Sequence, residues 1–305
     1  MVKPIIKWVG GKTQILDKVL SRFPNEINNY HEIFLGGGSV LFGLLEHKKN
    51  NKIKIQGNIH AYDINETIIN MYKNIQSCHN EVYEVISKMI KEYDNITELN
   101  GNRTPNNYEQ AISSKESYYY WIRSYYNKLT QDQKNTPAGS AIIIFLNKTG
   151  FRGLYRVSSN GYNVPFGNYK NPEILNYEHL KEVSDLIQDV NFICCDFNQS
   201  ILTENNVNLK ENDFVYLDPP YAPESDTSFV GYTKDGFTLE QHIKLFSICN
   251  SLKDKNIKFV LSNANVKLVT DNFSNEFNIE TISCKRSINS KNPESKTLEV
   301  LISNF

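Results

Sequence analysis

The chain is predicted to be an α/β protein: one mostly parallel sheet covered by helices, interrupted by a mainly helical insert. Two observations carry this. Strand-like and helix-like segments alternate from residue 1 to about 75 and again from about 179 to 305. Between them, residues 76–178 lose that alternation, are rich in Tyr and Asn, open with long helical patterns and end in a Gly/Asn-rich stretch. Parallel strands need crossover connections, so alternating strands and helices build a helix-covered parallel sheet. The two flanking blocks, 1–75 and 179–305, therefore form one domain and 76–178 a second domain inserted into it.

The elements follow in order. HEIFL and IHAYDI read as strands, SVLFGLLEHKK and NETIINMYKNI as helices. After the insert come VNFICCDF, NDFVYLDPPY, LEQHIKLFSICNSLKDK, IKFVLSN, FNIETISCKRSI and KTLEVLISNF. The last two strands are joined by a short link containing Pro293 and so form an antiparallel edge. In the insert, Tyr118, Trp121, Ile122, Tyr125 and Leu129 share one helical stripe, expected to be a buried face rather than a platform for bases.

The 305 residues are 40% hydrophobic, enough for a sizeable core. A net charge of −1 neither favours nor excludes nucleic acid, which needs a local basic patch rather than a basic total. No apolar run is long enough to span a membrane, and MVKPIIKWVGGK lacks the features of a secretory signal, so no membrane partner is expected. Five cysteines form no CxxC pair and no zinc spacing; their odd number and scatter point to a reducing, cytoplasmic compartment and to no metal site.

DPPY, Asp218–Tyr221, is the strongest motif. It follows the apolar run FVYL, at the point where a strand leaves the sheet, and ligands of open α/β sheets bind at that edge. Two prolines fix the backbone and remove two N–H donors. The Asp218 carboxylate and Pro219 carbonyl can then accept both hydrogens of an exocyclic amine while Tyr221 stacks on its ring. Taken alone, the four residues also suit a strand-ending turn with Asp218 as cap and Tyr221 as packing.

Other strand ends give the motif context. IFLGGGSV (33–40) is a strand–turn–helix in which Gly36 and Gly38 let backbone approach a ligand, though it lacks the final glycine of a dinucleotide fingerprint. Asp63 ends the next strand and suits ribose hydroxyls. Asp196 and Phe197 end another, suiting an amino group and a ring face. Together these outline a nucleoside-type site beside DPPY. KWVGGKTQIL is not a phosphate loop, because the required first glycine is Ile6.

Taken together, KWVGGK, FLGGGS, NKTGFRGLYRVSSNGYNVPFGNY, DPPYAP and TSFVGYTKDGF resemble the DNA adenine methyltransferase (Dam) family in its alpha motif order, over nearly the whole chain. The resemblance implies a Rossmann-like methyltransferase sheet, an insert that recognises the target and ends in a β-hairpin, S-adenosyl-L-methionine as cofactor, and duplex DNA as partner. It implies methyl transfer to N6 of a flipped-out adenine. Trp8, Lys12, Phe34, Gly36, Gly38, Asp63, Asp196, Phe197 and Asp218 would contact the cofactor. Asp218, Pro219 and Tyr221 would form the catalytic pocket.

For DNA, the resemblance points to Lys7, Phe151, Arg152, Leu154, Arg156, Pro165, Lys285 and Arg286. Phe151 stands where the family often has a wedging tyrosine, and Arg152 where it often has Asn. The Leu154-x-Arg156 spacing, Pro165 and Lys7 match members that methylate GATC, so GATC or a longer site containing GAT is the expected target. TSFVGYTKDGF reads as a loop that orders over the bound base. Without the family, Lys7, Arg156, Lys285 and Arg286 would pass for solvated charges and Trp8 for packing. A cognate restriction endonuclease would be a genetic rather than a physical partner. Two other readings exist: methylation of RNA or a protein glutamine through the same pocket, and a cofactor-binding DNA protein without catalysis. The hairpin speaks against the first, and intact Asp218 and Tyr221 against the second.

Overall fold

The computed structural model describes residues 1–200, 209–223, 237–273, 275–285 and 296–305. The chain forms two compact units, one of residues 12–35, 43–64 and 189–305, the other of residues 1–11, 36–42 and 65–188.

The first unit holds a seven-stranded sheet: β1 (Tyr30–Glu32), β2 (Ile59–Asp63), β3 (Val190–Cys194), β4 (Phe214–Leu217), β5 (Lys258–Ala264), β6 (Asn278–Lys285) and β7 (Lys296–Ser303). Their order is β6-β7-β5-β4-β1-β2-β3. All pairs are parallel except those of β7, which runs against both β5 and β6. The antiparallel pair predicted at the end of the chain forms, but β7 sits inside it and β6 takes the edge. Strand order reverses between β1 and β4, making this the switch point where open α/β sheets bind ligands.

β4 is buried at every residue, as a central strand covered on both faces must be. On one face Val215 and Leu217 join Phe259, Leu261, Val300 and Ile302 in a cluster covered by Leu245, Phe246, Cys249 and Leu252 of helix Leu239–Asp254. That helix starts at a capping box in which Thr238 and Gln241 satisfy each other's backbone N–H.

The second unit is built on four helices: α1 (Glu66–Asn95), α2 (Lys115–Lys128), α3 (Pro137–Thr149) and α4 (Tyr177–Leu186). Asn65, Ser114, Thr136 and Asn176 cap them, each side chain accepting a backbone N–H of the first turn. α3 is buried around most of its circumference and packs Phe145 against Tyr93 of α1 and Tyr118 of α2. The α2 stripe predicted from sequence is off by part of a turn. Tyr118 is buried, but Tyr125 is 54% exposed, and the burial falls instead on Tyr119, Tyr120 and Tyr126. With aromatic residues on nearly every side of this helix, periodicity alone does not select the inward face. Among the described residues no helix is long and apolar enough to cross a membrane.

Candidate active site and nucleic-acid interface

The carboxyl ends of β4, β1, β2 and β3 are neighbours in the sheet and lead respectively to Asp218, Phe34, Asp63 and Asp196. Asp218 follows the buried β4 directly. Its Oδ1 lies 2.7 Å from Lys12 Nζ, with Lys12 only 4% and Asp218 18% exposed. The same ammonium stands 4.8 Å from the centre of the Tyr221 ring. Burial pushes the Asp218 carboxyl up to about 6 against the pull of Lys12, and Glu299 adds to the rise. Asp218 is therefore a carboxylate at neutral pH because Lys12 offsets part of its desolvation.

Two residues that the sequence did not single out hold the motif. The Tyr221 hydroxyl donates to Glu299 Oε2 at 2.7 Å, and the Ala222 N–H donates to Asn263 Oδ1 at 3.0 Å. Asn263 also takes the Ala264 N–H, so one buried amide oxygen joins the motif's end to β5. The Tyr221 phenol is held well above its usual range, chiefly by burial and then by Asp218 and Glu299. The signal in the sequence was a polar residue breaking an apolar strand, VLSNA and TLEVLIS, but nothing there gives its partner.

Asp196 caps the turn Phe197–Gln199, accepting from the backbone N–H and side-chain Nδ2 of Asn198. Asn198 Oδ1 is buried, with no hydrogen-bond partner among the described residues. Phe197 lies in the core, 5% exposed, with its ring near Phe34 and Phe237. The Asp63 carbonyl accepts the Cys195 N–H, tying the ends of β2 and β3.

In the other unit, Gly36 and Gly38 take positive φ, +50° and +76°. A Cβ at Gly36 or Gly37 would lie 2.8 Å from Trp8, so glycine is required there because the indole rests on the turn. The Tyr72 hydroxyl donates to the Gly37 carbonyl at 2.6 Å and fixes the turn from α1. Trp8 also meets the Tyr155 ring, with centroids 5.5 Å apart.

The same unit collects six of the residues predicted to meet DNA. Strands Val157–Ser158 and Gly161–Tyr162 pair as a small antiparallel hairpin. Phe151 is 42% exposed, its N–H donating to the Pro165 carbonyl, and the Arg152 guanidinium lies 5.2 Å from its ring centre. Arg152 has φ +57°, a conformation that Asn tolerates better than Arg. Arg156 is exposed and held by Asn163, through Nε to Oδ1 at 2.6 Å and through a terminal nitrogen to the carbonyl. Leu154 stands between, half-buried.

Lys7 projects from the N-terminal segment with its ammonium 4.9 Å from the Tyr169 ring centre. Buried Asn147 secures it, accepting the Lys7 N–H and donating to the carbonyls of Lys7 and Gly153. Asn147 too escaped the sequence reading. The Lys285 side chain, Arg286 and all of TSFVGYTKDGF except Phe237 lie outside the described residues.

Residues 8–288 match the family model for D12 class N6 adenine-specific DNA methyltransferases. The chain is 36% identical to the type II methyltransferase M.MjaIII of Methanocaldococcus jannaschii, covering 100% of this chain and 99% of that protein. It is 29% identical to the type II methyltransferase M1.LlaDCHI of Lactococcus lactis, over 100% and 96%. It is 30% identical to the DNA adenine methylase of Haemophilus influenzae, over 96% and 90%. The chain belongs to the D12 class of N6 adenine-specific DNA methyltransferases.

Proposed function

We propose that this DNA adenine methyltransferase flips an adenine out of duplex DNA and methylates its N6 in GATC, or in a longer site containing GAT. The observation that carries this reading is the Lys12–Asp218–Tyr221 constellation beside the sheet's switch point. Asp218 and the Pro219 carbonyl accept the two N6 hydrogens, draw electron density onto nitrogen and aim its lone pair. Tyr221 stacks on the extruded ring, and Phe151, exposed beside the hairpin, fills or props the gap left in the duplex. Holding the amine in line supplies much of the acceleration.

The family generally uses S-adenosyl-L-methionine, which when bound supplies an electrophilic methyl group on a positively charged sulfur. The donor set fits that group. Asp218 can face the positive charge, Asp63 the ribose hydroxyls, and Asp196 the adenine amino group. Asn198 Oδ1 beside Asp196, without a partner among the described residues, offers a further acceptor for that amine. Trp8, Lys12, Phe34, Gly36, Gly38 and Phe197 complete the cofactor set in this reading.

Residues 76–178 then serve target recognition, and 1–75 with 179–305 catalysis. Arg156 forks onto a guanine, Leu154 and Pro165 touch a thymine methyl, and Lys7 reaches the leading guanine. Arg152, Lys285 and Arg286 grip phosphate or flanking bases. The enzyme acts in the cytoplasm, with a cognate restriction endonuclease as its genetic partner. The test is expression in cells lacking adenine methylation, followed by mapping of methylated adenines. GATC sites should resist nucleases that need them unmethylated. If every GATC stays cleavable while other adenines are methylated, the recognition assignment fails and the catalytic one stands.

A further inference from the structure

We propose that Glu299 is a positioning residue for methyl transfer: its carboxylate fixes the plane of the Tyr221 ring on which the target base stacks. The inference rests on the reading of Tyr221 as the stacking surface. Its basis is geometric. The two prolines restrain the backbone leading into Tyr221, yet its ring can still turn about two side-chain bonds. Here the far end of the ring is tied, because the hydroxyl donates to Glu299 Oε2 at 2.7 Å, a charge-assisted bond.

Glu299 is itself rigidly placed. It lies on β7, paired with Ala264 of β5 on one side and Ile282 of β6 on the other. The backbone next to Tyr221 is held from the same strand pair, since Asn263 of β5 accepts the Ala222 N–H. The ring is thus fixed at its hydroxyl by β7 and at its backbone by β5, with the Lys12 ammonium over one face. Glu299 also has a neutral neighbour in Cys284, whose thiol is pushed up to about 11 by burial and by Glu299 itself. Beyond the charge it lends to the Asp218 site, this carboxylate acts on the pocket through the Tyr221 hydroxyl. Its consequence is orientation, and misorientation of a reacting group costs rate rather than binding.

Single-turnover methylation of a duplex oligonucleotide tests this, with Glu299→Ala, Glu299→Gln, Tyr221→Phe, Tyr221→Ala and the double variant Glu299→Ala/Tyr221→Phe. Glu299→Ala should slow transfer roughly 10- to 100-fold while leaving the dissociation constants for DNA and cofactor within about twofold. Tyr221→Phe, which removes the donor, should do the same. The double variant should be no slower than either single one, because both remove one bond. Glu299→Gln keeps an acceptor and should recover most of the rate.

Full-rate transfer by Glu299→Ala or Tyr221→Phe, or losses that multiply in the double variant, overturns the inference. Should Glu299→Ala fail to fold, Tyr221→Phe and Glu299→Gln decide on the same criteria. Tyr221→Ala separates the two levels. Its full activity would bring down the pocket reading itself, whereas its inactivity beside a full-rate Glu299→Ala removes only the role of Glu299.

Discussion

Replacing Lys12 by Met should move the pH dependence of methyl transfer rather than simply abolish it. Met keeps the apolar stem and removes the ammonium that stands 2.7 Å from Asp218 Oδ1. At that distance and an effective dielectric of about 20, the lost attraction is on the order of 6 kcal/mol. The carboxyl escapes much of that cost by holding its proton longer, at about 1.4 kcal/mol per pKa unit. With water taking up part of the vacated space, a rise of about two units is expected, from about 6 to roughly 8. Only the carboxylate accepts both the amine hydrogen and the positive charge, so activity is present above this pKa and lost as pH falls through it. At pH 7 about nine-tenths of the native enzyme is then ionised against about one-tenth of the variant, a rate loss of about tenfold that disappears toward pH 9. The assay is single-turnover transfer of labelled methyl at saturating cofactor from pH 5 to 9.5. A variant slowed equally at every pH, with its midpoint still near 6, would refute the electrostatic role given to Lys12.

Three further outcomes follow from the geometry. Arg156→Ala removes a fork already aligned by Asn163 and should cost roughly 1–3 kcal/mol at one base pair, relaxing specificity there; a uniform loss over all substituted sites would mark a phosphate contact instead. Arg152→Asn relieves the left-handed backbone and should raise the stability measured in urea by about 0.5–1 kcal/mol, while weakening DNA binding; no gain in stability would mean that the guanidinium over Phe151 outweighs the strain. His31 is buried with its pKa lowered to about 4, by burial and then by His60 stacked on it. The unfolded chain takes up a proton before the folded one does, so stability is full above about pH 6.5 and falls as pH drops toward 4. His31→Phe should remove about 3 kcal/mol of that acid loss, and an unchanged slope in pH-dependent melting would rule His31 out as its source.

The legible parts of the sequence were those whose physics is local. A strand end followed by Asp218-Pro-Pro-Tyr, three glycines between a strand and a helix, and aspartates closing successive strands each declare themselves within a few residues, and alternation fixed the sheet. Residues defined by a distant partner stayed hidden. Glu299 meets Tyr221 across 78 positions and Asn147 meets Lys7 across 140. Each appears in sequence only as a polar residue in an apolar run. Which partner such a residue finds depends on register and packing that no local pattern encodes. Helix α2 departed for a related reason: Tyr119, Tyr120 and Tyr126 carry the same ring as Tyr118 and Tyr125 of the predicted stripe, so only the neighbours decide which tyrosines turn inward.

Trp8 lays its indole on Gly36 and its Cβ on Gly37, and meets the Tyr155 ring on another side. Tyr155 stands between Leu154 and Arg156 and donates its hydroxyl to Thr67 at 3.2 Å. Positions 8, 36 and 37 therefore cannot drift independently over evolutionary time. A β-carbon at Gly36 is compatible only with a smaller residue at 8, and a smaller residue at 8 withdraws the ring from Tyr155. A substitution at Gly36 will thus be felt at Tyr155, between the proposed base readers Leu154 and Arg156, so under that proposal variants selected for altered specificity carry mutations outside the hairpin as well.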